Sequence, residues 1–213
     1  MSWKRKEYIW YQSSHILNNL LTHLILNPTI LGKSNIPRKG RVIVAPTHRS
    51  MVDIPCAGCI TWQPMRWMVK IGLVSNKFSK YYFETCGSFG VDNNSNDPTA
   101  IKKAIAALEG DDKLLIFPEG MRNKYENIGE LSNGVGFVAA KTNSPIVPVA
   151  IYGAEKPFYF KNFIPRRSKI YILIGEPMTD HIDKPGKTSQ LSKEITKDLA
   201  KNLYDLFEQC KEF

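Results

Sequence analysis

The sequence predicts an α/β domain: a central, mostly parallel or mixed sheet flanked by helices, with an amphipathic helix ahead of it. Three observations predict this. Short apolar runs rich in β-branched residues recur along the chain, helix-periodic segments with their own start and stop signals lie between several of them, and the opening residues are apolar at a helical period. With 213 residues, 43% of them hydrophobic and 11% aromatic, the chain has apolar surface for one substantial core. Such a composition excludes a disordered or low-complexity protein. No fixed-period repeat and no interdomain linker divides it.

Taken in order, the first element is an amphipathic helix over residues 9–25. Ile9, Trp10, Ile16, Leu17, Leu20, Leu21, Leu24 and Ile25 are interleaved with Asn18, Asn19, Thr22 and His23. Trp3, Lys4, Arg5, Lys6, Tyr8 and Tyr11 mix aromatic and cationic groups, as suits a lipid headgroup layer. Two readings follow. Residues 1–30 are a membrane-associating segment ahead of a domain over residues 31–213, or the helix packs its apolar face on the domain's own core. A turn-rich stretch from Gly32 to Pro37 then leads to a buried strand over residues 41–46. Further strands are predicted over residues 65–70, 88–91, 113–117, 146–152 and 169–174. Pro98 at a first-turn position and Gly110 as a stop bracket one helix. Two more are predicted over residues 134–142 and 189–210.

Lys and Arg total 29 against 20 Asp and Glu, a formal charge of +9, so the expected partners are anionic: nucleic acid, phospholipid surfaces or phosphorylated metabolites. No uninterrupted apolar run reaches the roughly 18 residues of a membrane-spanning helix. Four cysteines are too few for a disulfide framework, and no cleavable secretory pattern opens the chain, which points to a reducing compartment. Cys56 and Cys59 form one Cys-x-x-Cys without a second pair, so no zinc or other metal site is expected. Gly32-Lys33-Ser34 and Gly186-Lys187-Thr188 lack the upstream glycine of a phosphate-binding loop. His15, His23 and His181 have no carboxylate at a telling spacing and read as surface or interface residues. Residues 156–167 interleave aromatics with cations, which suits a lipid interface or the stacking of single-stranded bases, but no recognised nucleic-acid-binding signature accompanies them.

Chemistry concentrates after the first core strand, in Ala45-Pro46-Thr47-His48-Arg49-Ser50-Met51-Val52-Asp53. On one continuous helix, positions five apart diverge by roughly 140°. With His48 on the strand-to-helix turn and Asp53 in the first helical turn, the carboxylate can instead fold back to Nδ1. Nε2 is then left to take a proton from a hydroxyl. The competing reading is a capping box over Ser50 to Asp53, which explains Asp53 without chemistry and leaves His48 unexplained. A second strand ends in Phe117-Pro118-Glu119-Gly120-Met121-Arg122. Gly120 lets the backbone approach a ligand, Arg122 offers a donor fork for phosphate oxygens, and Glu119 is placed to orient that Arg or to accept from a substrate hydroxyl.

These two blocks, in this order, resemble the glycerolipid acyltransferases typified by 1-acylglycerol-3-phosphate acyltransferase. Thr47 to Asp53 is similar to that family's Asn-His-x-Ser-x-x-Asp block, an His-x4-Asp motif, and Phe117 to Arg122 to its Phe-Pro-Glu-Gly-Thr-Arg block. Ile146 to Ile151 resembles its hydrophobic-Pro block. The resemblance implies an α/β O-acyltransferase of phospholipid biosynthesis, with His48 as general base, Asp53 orienting it, and Glu119, Gly120 and Arg122 binding the glycerol phosphate. Lys70 falls where the family often carries a Lys, and joins that substrate-binding set. The partners implied are a lysophospholipid acceptor, acyl-CoA or acyl carrier protein as donor substrate, and an anionic membrane on whose cytoplasmic face the protein sits. No cofactor, metal or nucleic acid is implied. The acceptor hydroxyl attacks the thioester directly, in keeping with the absence of a Gly-x-Ser-x-Gly nucleophile elbow. One departure matters: the family's second block usually ends Asp-Arg, and here Asp92 is followed by Asn93. A missing bidentate cation leaves open a different lysolipid acceptor, with Lys70, Lys102 and Lys103 as compensating point charges. The alternative from another class is a non-enzymatic basic nucleic-acid-binding module.

Overall fold

Val42, Ile43, Val44, Ala45 and Pro46 present no polar side chain on either face, so the segment belongs in the middle of a covered sheet. It forms β2 (Val42–Pro46), every residue buried, between β5 (Lys113–Leu115) and β6 (Ile146–Tyr152). The structure, a computed structural model, describes residues 5–70, 77, 81, 83, 87–91, 98–123, 127–154, 160–161, 164–165 and 169–213. With β1 (Thr29–Leu31), β3 (Met65–Lys70), β4 (Phe89–Val91) and β9 (Tyr171–Ile174), the main sheet has seven strands in the order β1-β9-β6-β2-β5-β3-β4. A separate two-stranded ribbon pairs β7 (Phe160–Lys161) with β8 (Ile164–Pro165). All neighbours in the main sheet are parallel except β6 and β9. The sheet is therefore mixed, and β6, β2, β5, β3 and β4 all end at one edge. That edge is where crevices form in α/β sheets.

Helices cover both faces. On one, Val44, Val147, Val149 and Ile151 pack with Cys56 and Ala57 of α2 (Asp53–Gly58). On the other, Ile43, Ala45, Leu114 and Ile146 meet Ala104 and Leu108 of α3 (Pro98–Glu109), Val135 and Val138 of α4 (Asn133–Thr142), and Leu191, Ile195 and Leu199 of α5 (Thr188–Lys211). Gly136 permits the α4–α5 approach, since a Cβ there would strike the Ser192 carbonyl. The predicted elements appear with ends moved by a few residues: the 113–117 strand stops at Leu115, the 169–174 strand begins at Tyr171, and the 9–25 helix begins at Arg5. The short edge strand β1 has no counterpart in the sequence reading.

The first helix, α1 (Arg5–Ile25), is turned opposite to a core-packing helix. The residues it buries are Tyr11, His15, Asn19 and Thr22, a stripe at helical spacing that is mostly polar. They lie against α2 and the segment after it. Asn18 Nδ2 donates to the Pro55 carbonyl at 3.1 Å, and the Tyr11 hydroxyl donates to the Gln63 carbonyl at 3.3 Å. Gly58 makes room for this contact, because a Cβ there would lie 2.6 Å from Asn18 Nδ2. The apolar side, including Ile9, Trp10, Ile16, Leu17, Leu20, Leu21 and Leu24, stays exposed. Thus the helix docks on the domain, but not through its apolar face. Two of the three histidines expected at a surface or interface are buried: His15 where α1 meets the domain, between Tyr11 and Trp62, and His181 with Nε2 2.9 Å from the Ser144 carbonyl. Among the described residues no helix is long and apolar enough to cross a membrane.

Candidate active site

β2 delivers Thr47 and His48 to the sheet edge, and the chain turns there because Thr47 is tied to β6. Its hydroxyl accepts from the Ile151 amide at 2.9 Å and donates to the Ile151 carbonyl, and Thr47 is buried. The next residues loop over the edge before α2 begins at Asp53. His48 Nδ1 lies 3.2 Å from Oδ2 of Asp53, whose side chain has no solvent exposure while that of His48 retains 13%. Since a carboxylate only accepts, Nδ1 carries the proton in this contact and Nε2 holds the free lone pair. The Phe117 ring stacks on the imidazole with centroids 4.1 Å apart and planes 25° from parallel, which restricts rotation about χ2.

The same Oδ2 accepts the backbone N–H groups of Arg49 and of Ser50, the latter at 2.6 Å. The capping reading and the pairing reading of Asp53 therefore both hold. Asp53 closes half of a capping box on the Ser50 amide, while Ser50 Oγ accepts from Val52 rather than Asp53. The other carboxylate oxygen, Oδ1, is buried without a hydrogen-bond partner.

The second block comes off β5. Ile116 N still donates to Val44 at 3.0 Å, after which Pro118 and Gly120 occupy the positions the commonest β-turn favours and the Gly120 amide donates to the Phe117 carbonyl at 3.1 Å. Gly120 has φ +68° with open space beside it, a conformation that disfavours a side chain. Glu119 points inward: Oε1 accepts the His48 amide at 2.8 Å and Oε2 accepts the Gly129 amide at 3.3 Å. The Asn123 amide in turn donates to the His48 carbonyl at 2.8 Å. Gly120, Met121 and Arg122 are exposed on the outside of this turn. Lys70 ends β3 at the same edge, and its side chain lies outside the described residues, as does Asn93.

The structure thus brings His48, Asp53, Phe117 and Glu119 into direct contact and leaves Gly120 and Arg122 at the rim. Three residues to which the sequence reading gave no role take part in building the site: Thr47, Phe117 and Asn123. Each acts through a ring contact or a backbone hydrogen bond, for which spacing gives no signal. Among the described residues no group of His, Cys, Asp and Glu is placed to hold a metal ion. Burial pushes the Cys56 and Cys59 thiols up, away from the thiolate a metal requires.

Comparison with known proteins identifies the family and the fold. The profile of the acyltransferase family matches residues 27–152. The 1-acyl-sn-glycerol-3-phosphate acyltransferase of Bacillus subtilis is 29% identical over 150 residues, 70% of this chain and 72% of that protein. The enzyme of the same name from Borreliella burgdorferi is 28% identical over 178 residues, 80% of this chain and 70% of its own. The crystal structure of the 1-acyl-sn-glycerophosphate acyltransferase of Thermotoga maritima superposes with a TM-score of 0.72 at 20% identity, covering 92% of this chain and 79% of that one, and so shares the fold. The matched span of 27–152 contains both β2 with its His48–Asp53 pair and β5 with the turn that holds it, and the chain belongs to the acyltransferase family, with 1-acyl-sn-glycerol-3-phosphate acyltransferases among its relatives.

Proposed function

We propose that the protein transfers a fatty acyl group from a thioester, acyl-CoA or acyl carrier protein, to the free hydroxyl of 1-acylglycerol-3-phosphate, giving phosphatidate. The observation that carries this reading is the His48–Asp53 contact at 3.2 Å, which leaves Nε2 as the basic nitrogen. Nε2 takes the hydroxyl proton as the oxygen attacks the thioester carbonyl carbon. The tetrahedral intermediate collapses with cleavage of the C–S bond, and the departing sulfur takes the proton back from the imidazolium. Ester and free thiol result, and the base is regenerated. Exposed Arg122, beside the open backbone of Gly120, binds the acceptor phosphate, with Lys70 as a further cation.

The exposed apolar side of α1 supports docking on an anionic bilayer, with cationic Arg5 and Lys6, both exposed, at its start. In this reading the protein is peripheral, held at the surface where lysolipids reside. Asn93, in place of the family's usual Arg, supports a second reading in which the acceptor is a different lysolipid.

The test is a mass-spectrometric assay of purified protein with both donors, offering lysophosphatidate beside headgroup-bearing lysolipids. His48→Ala is expected to lower turnover about 10²–10⁴-fold while the protein stays folded. A folded His48→Ala protein with wild-type turnover would refute the role of His48, and a product other than phosphatidate would move the acceptor.

A further inference from the structure

We infer that Glu119 is a positioning residue that fixes the peptide backbone of His48, and that the acceptor is held by other groups of the same turn. The inference rests on the reading of His48 as the base. A carboxylate has two oxygens, and each one here receives a backbone N–H: Oε1 from His48 at 2.8 Å, Oε2 from Gly129 at 3.3 Å. Glu119 is 9% exposed, so little of it faces solvent or a ligand. A Glu119 turned outward to a substrate hydroxyl would leave two sheltered donors without an acceptor.

The chain around Glu119 is shaped for this inward position. From the turn closed by Gly120 the side chain reaches the His48 amide, just past the end of β2. Gly129 lies directly against this network: a Cβ there would crowd Asn123 Nδ2 at 3.1 Å and sit 3.4 Å from Oε2. On the other side of the same residue, the Asn123 amide donates to the His48 carbonyl at 2.8 Å. Both peptide groups of His48 are therefore held by the segment that follows β5, and its side chain by Asp53 and Phe117. Small displacements of a catalytic group cost large factors in rate, with about 1 Å sufficient for about 10²-fold.

Glu119→Gln tests the role. Gln offers one acceptor oxygen where the site needs two, and its amide group opposes an N–H. A 10- to 100-fold fall in kcat, with the KM for lysophosphatidate within about threefold of wild type, is expected. A rise in that KM with kcat retained would overturn the inference and make Glu119 a ligand of the acceptor. Arg122→Ala, measured beside it, is expected to show that opposite pattern. Because Glu119→Gln can fail to fold, hydrogen exchange of the His48 and Gly129 amides is measured in the wild-type protein, with and without lysophosphatidate and with no donor. Slow exchange of both under both conditions is expected, and fast exchange in the free protein, or release on adding lysophosphatidate, overturns the inference. Retained turnover in His48→Ala would sink the base assignment instead, while the exchange rates still decide whether Glu119 grips the backbone.

Discussion

One oxygen of Asp53 serves both the imidazole of His48, 3.2 Å away, and the amides of Arg49 and Ser50, so the loop that carries the base and the group that orients the base are one hydrogen-bonded unit. Asp53→Asn separates its two duties. The Asn oxygen can occupy the Oδ2 position and keep the loop closed, but the negative charge beside the imidazole is gone. Melting temperature is expected to move by only a few degrees while kcat falls by about two orders of magnitude or more. Asp53→Ala loses loop and charge together and should lose about 1–3 kcal/mol of stability as well. Equal losses of stability and activity in Asp53→Asn would show that the carboxylate matters only to the loop.

The loop is also tied to the C-terminal helix. The Arg49 guanidinium carbon sits 4.6 Å from the ring centroid of Phe207, a buried residue of α5. Arg49→Met keeps most of the stem and removes the cation. Urea denaturation should register a loss of about 0.5–2 kcal/mol, the range of a cation–π contact sheltered from water.

On α1, the side chains of Ile16, Leu20 and Leu24 are more than half exposed. Each contributes about 1.5–3 kcal/mol when buried in an apolar medium. The triple change to Asp should abolish sedimentation with anionic vesicles, yet shift stability in water by no more than about 0.5 kcal/mol per site. Wild-type binding should weaken as salt rises, through Arg5 and Lys6. If the triple variant sediments as well as wild type, α1 is not the membrane contact.

Acid should loosen the same helix. Desolvation holds the His15 pKa below the usual 6.5, against a smaller opposing effect of a hydrogen bond with the Thr61 backbone. Tyr11 and Trp62 pack on its ring. The native state thus binds a proton more weakly than the unfolded chain does. Stability is expected to be unaffected by this residue above about pH 7, to decline as pH falls below 6.5, and to level off below the lowered native pKa. His15→Phe should flatten that decline in thermal melts between about pH 7.5 and 5.5, and an unchanged slope would remove His15 as its source.

Which features were legible in the sequence follows from what each depends on. The strands β2 and β6 and the helix α3 announce themselves by local means, in apolar β-branched runs and in Pro98 and Gly110. The His48–Asp53 pairing follows from a five-residue spacing bent over a turn. By contrast β1 is three residues long and exists because Tyr171, Ile172 and Leu173, far along the chain, offer it an edge. The inward aim of Glu119 likewise depends on amides at 48 and 129, which only the folded chain brings to it. For α1 the period was readable but the side was not: the sequence reading assumed that a helix packing on its own domain would do so by its apolar face, whereas Asn18 and Tyr11 bond to backbone carbonyls instead.

The strand order places the N-terminal arm at the border of the sheet, away from the strands that carry the site. β1 is joined to the rest of the sheet through β9 alone, and α1 rests on the outside of α2. If both were peeled away, β9 would become the border strand, still paired to β6, and β2 and β5 would keep every neighbour they have now. The pairing that holds the His48 turn is thus independent of the sheet's β1 border: β2 keeps its register with β5 and β6 whatever stands beside β9.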